Sequence, residues 1–274
     1  MKHNIVNKAI YLLLFIAMLM PLYFMLIGSI QDSKGAMAMP PRLLPYKAFA
    51  GNYQKIISWP LGIWLKNTII VLAGSVALSC ALSLSAGYAF AFHNFKLKKM
   101  LWVAMLAGLM IPRISLLIPQ YVIIKKIGIP GTMLAVILST SFSPMGLYLA
   151  RTYFGTIPMS LIESARIDGA SEIQVLCKVV APASMPIATT LALFAGISSL
   201  QDYIWQMLVL QSESRQTMLI GMMREVMRRG GGDLNLNPAG RSMAVGIVLL
   251  LPLLIIFIAA NRYFTESLDG AVKE

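Results

Sequence analysis

Six stretches of this sequence, at about 9–30, 64–92, 100–124, 132–150, 187–210 and 242–264, are apolar over enough residues to cross a bilayer. A helix rises 1.5 Å per residue and the hydrocarbon core is about 30 Å thick, so about 20 apolar residues make one crossing. Within lipid every backbone donor and acceptor needs an internal partner, and continuous apolar runs meet that demand as helices. Composition agrees: 58% of residues are hydrophobic and 12% charged, whereas soluble domains carry about 25% charge. Small-residue clusters such as Ala73-Gly74-Ser75 and Ser83 to Gly87 suit close helix contacts in lipid. The expected fold is an all-α integral membrane bundle, a single transmembrane domain over 1–274 with six spans and both ends on one side.

Lys2 and Lys8 ahead of an apolar run imitate a secretory signal, but the run from Ala9 to Ile30 is long enough to span and is expected to stay as the first helix. The net charge of +12 is spread between the apolar runs instead of lining one patch, so it marks membrane flanks and excludes nucleic acid as a partner. Lys and Arg divide ten to the N-terminal side and twelve to the other, with Arg113 inside a span, and this near balance leaves orientation open. Cys80 and Cys177 have no metal-ligand spacing and sit too far apart in a six-span layout to pair, so no zinc or redox chemistry is suggested.

The connection between the fourth and fifth spans, Ile157 to Pro186, carries strong helix punctuation. Ser160 with Glu163 reads as a capping box, Gly169 as a left-handed stop, and Ser171 with Gln174 as a second capping box. Pro182 is expected to end the second helix near Val180. The first helix is therefore expected at about 161–168, with Ile162, Ala165 and Gly169 forming a low apolar strip flanked by Glu163, Arg166 and Asp168. Such a strip suits docking into a groove on another protein; a surface hairpin that merely links two spans would carry the same local signals.

Glu163-Ser164-Ala165, Asp168-Gly169-Ala170, Val179 and Pro182 resemble the E-A-A-x-x-x-G-x9-I-x-L-P motif of ABC importer permeases. Ile157-Pro158, the Asp-Gly-Ala triplet and Pro186 further resemble the carbohydrate-importer branch. Asn67-Thr68, Met110-Ile111-Pro112, Ile118-Pro119 and Gly270-Ala271-Val272-Lys273 extend the resemblance over essentially the whole chain. It departs at Ser164, Ala181 and at Leu200-Gln201, where alanine, leucine and Trp-Asn are usual. The resemblance implies a type I importer permease of the bacterial inner membrane with cytoplasmic termini. It also implies a cytoplasmic coupling segment, 157–186, that docks on an ATPase through Ile162, Glu163, Ala165, Arg166, Asp168, Gly169 and Ala170. The implied partners are a homologous second permease, two ATPase subunits that hold ATP and Mg, an extracytoplasmic binding protein and a carbohydrate.

The sequence has no G-x-x-x-x-G-K-S/T loop for nucleotide phosphates and no catalytic triad or metal cluster, so this chain is expected to bind no cofactor and to catalyse no reaction. A secondary transporter or a channel is the rival class. The first needs an intramembrane ionisable relay, yet of eleven acidic residues only Asp202 falls inside a span; the second needs a filter-like run that is absent here. Polar groups at membrane depth tend to face a cavity or each other. Ser198, Asp202 and Gln206 recur every four residues, and Arg113 shares a seven-residue spacing with Gln120. Arg113, Gln120, Ser198, Asp202 and Gln206 are the candidates for the substrate path; an Arg113–Asp202 pair that only holds helices together is the equal alternative.

Overall fold

The computed structural model describes residues 2–45, 47–229 and 238–271; Gly230-Gly231-Gly232 and Val272-Lys273 lie outside them. In chain order the main helices are α1 (Lys2–Ser29), α2 (Leu61–Phe92), α3 (Lys98–Gly108), α4 (Leu117–Lys126), α5 (Met133–Ser141), α6 (Pro144–Phe154) and α7 (Met159–Ile167). There follow α8 (Glu172–Ala183), α9 (Met185–Gln201), α10 (Tyr203–Val209), α11 (Met218–Arg229) and α12 (Pro238–Ala271). No strand occurs among the described residues.

Among the described residues, three helices are long and apolar enough to cross alone: Ile10–Ser29 within α1, all of α2, and Ala239–Ile258 within α12. Three bent pairs pass the same test of length and hydropathy together, Lys98–Met110 with Arg113–Lys126 at 107°, α5 with α6 at 45°, and α8 with α9 at 86°, which gives up to six crossings if each pair is one span. The unbroken helices expected at 100–124, 132–150 and 187–210 are therefore corrected to interrupted ones. Pro112 is extended at φ −60°, ψ 128°; a proline has no N–H and pushes the residue before it out of the α region, so the chain restarts as the 3₁₀ turn Arg113–Leu116. Ser143 is also extended, and its hydroxyl accepts the Gly146 N–H at 3.1 Å. Pro144 follows in the first turn of α6, where a missing N–H costs nothing. A further break falls at Asp202, between α9 and α10.

The chain divides into two compact units, 1–62 with 218–254, and 63–217 with 255–274. In the first, α1 packs closely on α12: Met243 sulfur lies over Gly28, and Met25 sulfur over Gly246. Asn52 is buried and donates to Ser29 O at 2.8 Å and Gln31 O at 3.0 Å. These carbonyls end α1 and have no helical donor, so the amide serves as a cap supplied from the connection.

In the second unit, one face of α2 carries Val71, Ser75, Ser79, Ser83 and Gly87, all buried. Four-residue spacing puts them on one stripe, and the stripe meets α5 and α6. Ser75 and Thr140 hydroxyls bond at 2.7 Å, and Tyr88, Ala150, Phe154, Ile162, Val175, Val180, Ile187 and Leu191 form a continuous apolar cluster beside it. A Cβ added at Gly87 would stand 2.7 Å from Ala150 Cβ and 3.1 Å from the Arg151 backbone nitrogen. Gly87→Val should force α2 off α6 and cost about 1–3 kcal/mol, read as a lowered thermal midpoint of the detergent-solubilised protein. Gly62→Ala, with nothing within 4 Å, should leave the midpoint unchanged.

Candidate functional site: a capped hairpin and two broken spans

Helix α7 starts two residues earlier than the sequence predicts. Pro158 is its N-cap, extended at φ −59°, ψ 129°, and its carbonyl accepts the Leu161 N–H at 3.1 Å. The Ile157-Pro158 dipeptide holds the entering chain extended, so helical geometry begins at Met159 and Ser160 is already inside it. Ser160 then offers its carbonyl to the Ser164 hydroxyl at 2.8 Å. The expected Ser160–Glu163 capping box does not form, and Glu163 is an exposed mid-helix residue.

The far end of α7 follows the sequence closely. Gly169 has φ +83°, Ala170 N–H donates to Ala165 O and Gly169 N–H to Arg166 O, both at 3.0 Å. These two bonds make a Schellman stop, whose left-handed residue is normally glycine. Ser171 and Gln174 form the second capping box as expected. The second arm does not end near Val180; it continues through a π turn, Val175–Val180, to Ala183. A π turn bonds i to i+5, and this wider step lets the helix pass Pro182, which has no N–H to give. Ser184, at φ −109°, ψ 18°, then turns the chain into α9.

The expected strip of Ile162, Ala165 and Gly169 is split: Ile162 and Ala165 turn inward, and only Gly169 stays exposed. Ile162 is wholly buried in the cluster with Phe154, Val175 and Val180, and Ala165 and Ala170 pack against it. Burial of a residue this size stabilises by about 1.5–3 kcal/mol, so Ile162, the buried apolar residue of the helix, completes the chain's own core. The outward face carries Leu161 at 44%, Ile167 at 85% and Ile173 at 75% exposure, with Glu163, Asp168 and Gly169 also exposed.

Arg166 is engaged. Its Nε donates to Glu172 Oε1 at 2.9 Å and its Nη2 to Glu172 Oε2 at 3.2 Å. Tyr88 Oη donates to the same Oε2 at 2.5 Å, and His93 Nε2 lies 3.1 Å from it. The guanidinium, then the Tyr88 hydroxyl, hold the Glu172 carboxyl below the ordinary carboxylate range. Sequence reasoning misses Tyr88, His93 and Glu172, because 84 residues separate Tyr88 from Glu172 and no local period links them.

Among the path candidates, Arg113 and Asp202 do meet: Arg113 Nη2 donates to Asp202 Oδ2 at 2.8 Å. Arg113 lies in the 3₁₀ turn after Pro112, and Asp202 at the break between α9 and α10. The pair thus bridges two interruptions. Ser198, Asp202 and Gln206 form no single helical stripe, since the helix stops at Gln201. Gln206 is buried, its Nε2 donating to Ser199 O at 2.7 Å and its Oε1 accepting from Thr217 Oγ1 at 2.5 Å. It closes the break. The seven-residue face from Arg113 to Gln120 is lost as well, because the 3₁₀ turn advances at three residues per turn; Gln120 is half-buried on α4 and Ser198 exposed on α9.

The ion pair is asymmetric, with the Arg113 side chain 52% exposed and that of Asp202 9%. Arg113→Ala leaves a buried carboxylate without its partner and should cost about 1–3 kcal/mol. Asp202→Asn leaves only a half-exposed guanidinium and should cost less. The thermal midpoints of the two variants check this; equal losses would contradict it.

The family described as "Binding-protein-dependent transport system inner membrane component" matches residues 80–269. The arabinooligosaccharides transport system permease protein of Halalkalibacterium halodurans is 30% identical over 77% of this chain and 74% of its own length. The trehalose/maltose transport system permease protein of Thermococcus litoralis is 27% identical over 96% of this chain and 94% of its own. Among solved structures, a bacterial ABC transporter involved in the import of the acidic polysaccharide alginate superposes with a TM-score of 0.82 at 20% identity, covering 95% of this chain and 96% of that one. With a helical bundle of bent spans, a capped hairpin and a match along most of its length, the chain belongs to the family of binding-protein-dependent transport system inner membrane components.

Proposed function

We propose that this chain is one of two homologous permease subunits of an importer for a sugar or related carbohydrate, driven by two ATPase subunits and supplied by an extracytoplasmic binding protein. The observation that carries the reading is the α7–α8 hairpin. It is fixed by a Schellman stop and a capping box, seated on the chain's own core through Ile162, and leaves Ile167 and Ile173 outside beside Glu163 and Asp168. A rigid apolar surface rimmed by charge is what a groove on another protein takes up. On this reading Glu163, Asp168, Gly169 and Ala170 belong to the docking tip, while Ile162, Ala165 and Arg166 hold it from behind.

With no phosphate-cradling loop in this sequence, ATP and its Mg are held by the ATPase subunits, and this chain is neither an enzyme nor a cofactor carrier. Closure of the ATPase pair displaces the hairpin, which rocks the spans between inward- and outward-facing arrangements. The hairpin lies on the cytoplasmic side, six crossings place both termini there, and the connections 31–63 and 211–241 face the binding protein. Interrupted spans with polar side chains at the breaks are where transporters hold substrate, so the open edge of Arg113, with Ser198 and Gln120, offers donors and acceptors to a polyhydroxylated ligand. The substrates named for the relatives, arabinooligosaccharides, trehalose or maltose and alginate, are all of that kind.

Purification of the tagged chain from its native membrane should bring down an ATPase subunit. The Ile167→Asp, Ile173→Asp double variant should lower that recovery at least about tenfold, equivalent to about 1.4 kcal/mol. An extract with no bound ATPase, together with uptake that survives ATP depletion, would overturn the reading in favour of a secondary transporter or channel.

A further inference from the structure

Helix α2 is held at both ends by side chains that reach distant parts of the sequence. At its last turn, Tyr88 Oη and the adjoining His93 meet Glu172, the first residue of α8, which also holds Arg166 of α7. His93 is itself tied to α3, because its carbonyl accepts from Lys98 Nζ at 2.7 Å. At the first turns of α2, the buried Asn67 donates from Nδ2 to Ser214 O and Gln216 O, both at 2.9 Å. The next residue along, Thr217, bonds Gln206, four residues beyond the Asp202 that holds Arg113.

The Glu172 clamp differs in kind from the buried Asn67 clamp and from the packing between them. Glu172 is 49% exposed on its side chain and Arg166 31%, and pairs this open to water add little stability. Their geometry is nonetheless specific: one carboxylate receives a guanidinium on both oxygens and a phenol on one, from two different elements. An arrangement that contributes little to folding yet fixes the angle between hairpin and span is suited to transmitting force. The α2 stripe is close-packed on α5 and α6, and α2 is about 48 Å long at 1.5 Å per residue, enough to reach across a bilayer without a break.

We propose that α2 is the connecting rod of this permease. Glu172, through Tyr88 and Arg166, couples hairpin displacement to one end of it, and Asn67 delivers that displacement at the other end to the 214–217 segment that braces the Arg113–Asp202 break. Glu172, Tyr88 and Asn67 are positioning residues for the transport cycle, and none of them touches nucleotide. The proposal rests on the docking of the hairpin to an ATPase, and it names the residues that carry motion onward.

The test uses the complete transporter, with its second permease, ATPase subunits and binding protein, reconstituted in liposomes so that substrate uptake and ATP hydrolysis are measured together. Tyr88→Phe removes one oxygen, Glu172→Ala the whole node, and Asn67→Ala the far clamp. Each should lower substrate moved per ATP hydrolysed at least about fivefold, the low end of coupling between distinct sites, with ATPase subunits still bound in wild-type amount. Glu172→Gln keeps an acceptor for Tyr88 and should recover much of the ratio. Tyr88→Phe on top of Glu172→Ala should add nothing, because both break the same joint. A wild-type ratio in Tyr88→Phe and Asn67→Ala overturns the proposal. Failure of the importer reading itself shows differently, as a wild-type complex whose uptake ignores ATP.

Discussion

A backbone amide or carbonyl without a partner is expensive in hydrocarbon, and most of this structure follows from how the chain meets that cost wherever its spans are interrupted. The Ser143 hydroxyl receives an N–H at the start of α6. Asn52 covers carbonyls at the end of α1, and Gln206 reaches back to Ser199 to cover the end of α9. Each partner is a short polar side chain placed one turn from the break or brought in by a connection. Because the partners are fixed, the breaks have defined angles, and a bent span becomes as specific in shape as a straight one.

The hairpin shows the same economy. Its apolar residues divide into those that complete the chain's own core, Ile162, Val175 and Val180, and those left outside, Ile167 and Ile173. The inner set gives the segment a seat before any partner arrives. A segment seated in this way can transmit a push in a defined direction, whereas a loop ordered only by its partner would absorb it.

Long apolar runs are legible because length and hydropathy alone specify a crossing: α2 ends at Phe92 as expected, whereas α1 already starts at Lys2, ahead of the expected 9, and α12 runs on to Ala271, past the expected 264. The bends were not legible, since a proline such as Pro112 inside an apolar run fits a kinked helix as readily as a stop. In the hairpin, Ser171 with Gln174 and Gly169 behaved as their local chemistry dictates. Ser160 with Glu163 did not, because the extended Pro158 just upstream started the helix first. The inward turn of Ile162 was hidden for a different reason: an apolar strip is equally suited to a partner and to the chain's own core, and only the tertiary packing decides. Arg113 and Asp202 were both visible as costly intramembrane charges, but their pairing spans 89 residues and no sequence period reports it.

Val175 and Val180 are both wholly buried and stand five residues apart at the two ends of the π turn. In an α-helix that spacing would set them about 140° apart, one inside and one out. The wider turn returns both to the same side, so the count of residues between two valines, more than any hydrogen-bonding side chain, sets how far the chain has rotated when it reaches Ser184. One residue fewer in that turn would leave every hydrophobic side chain in place in the sequence and re-aim the whole of α9.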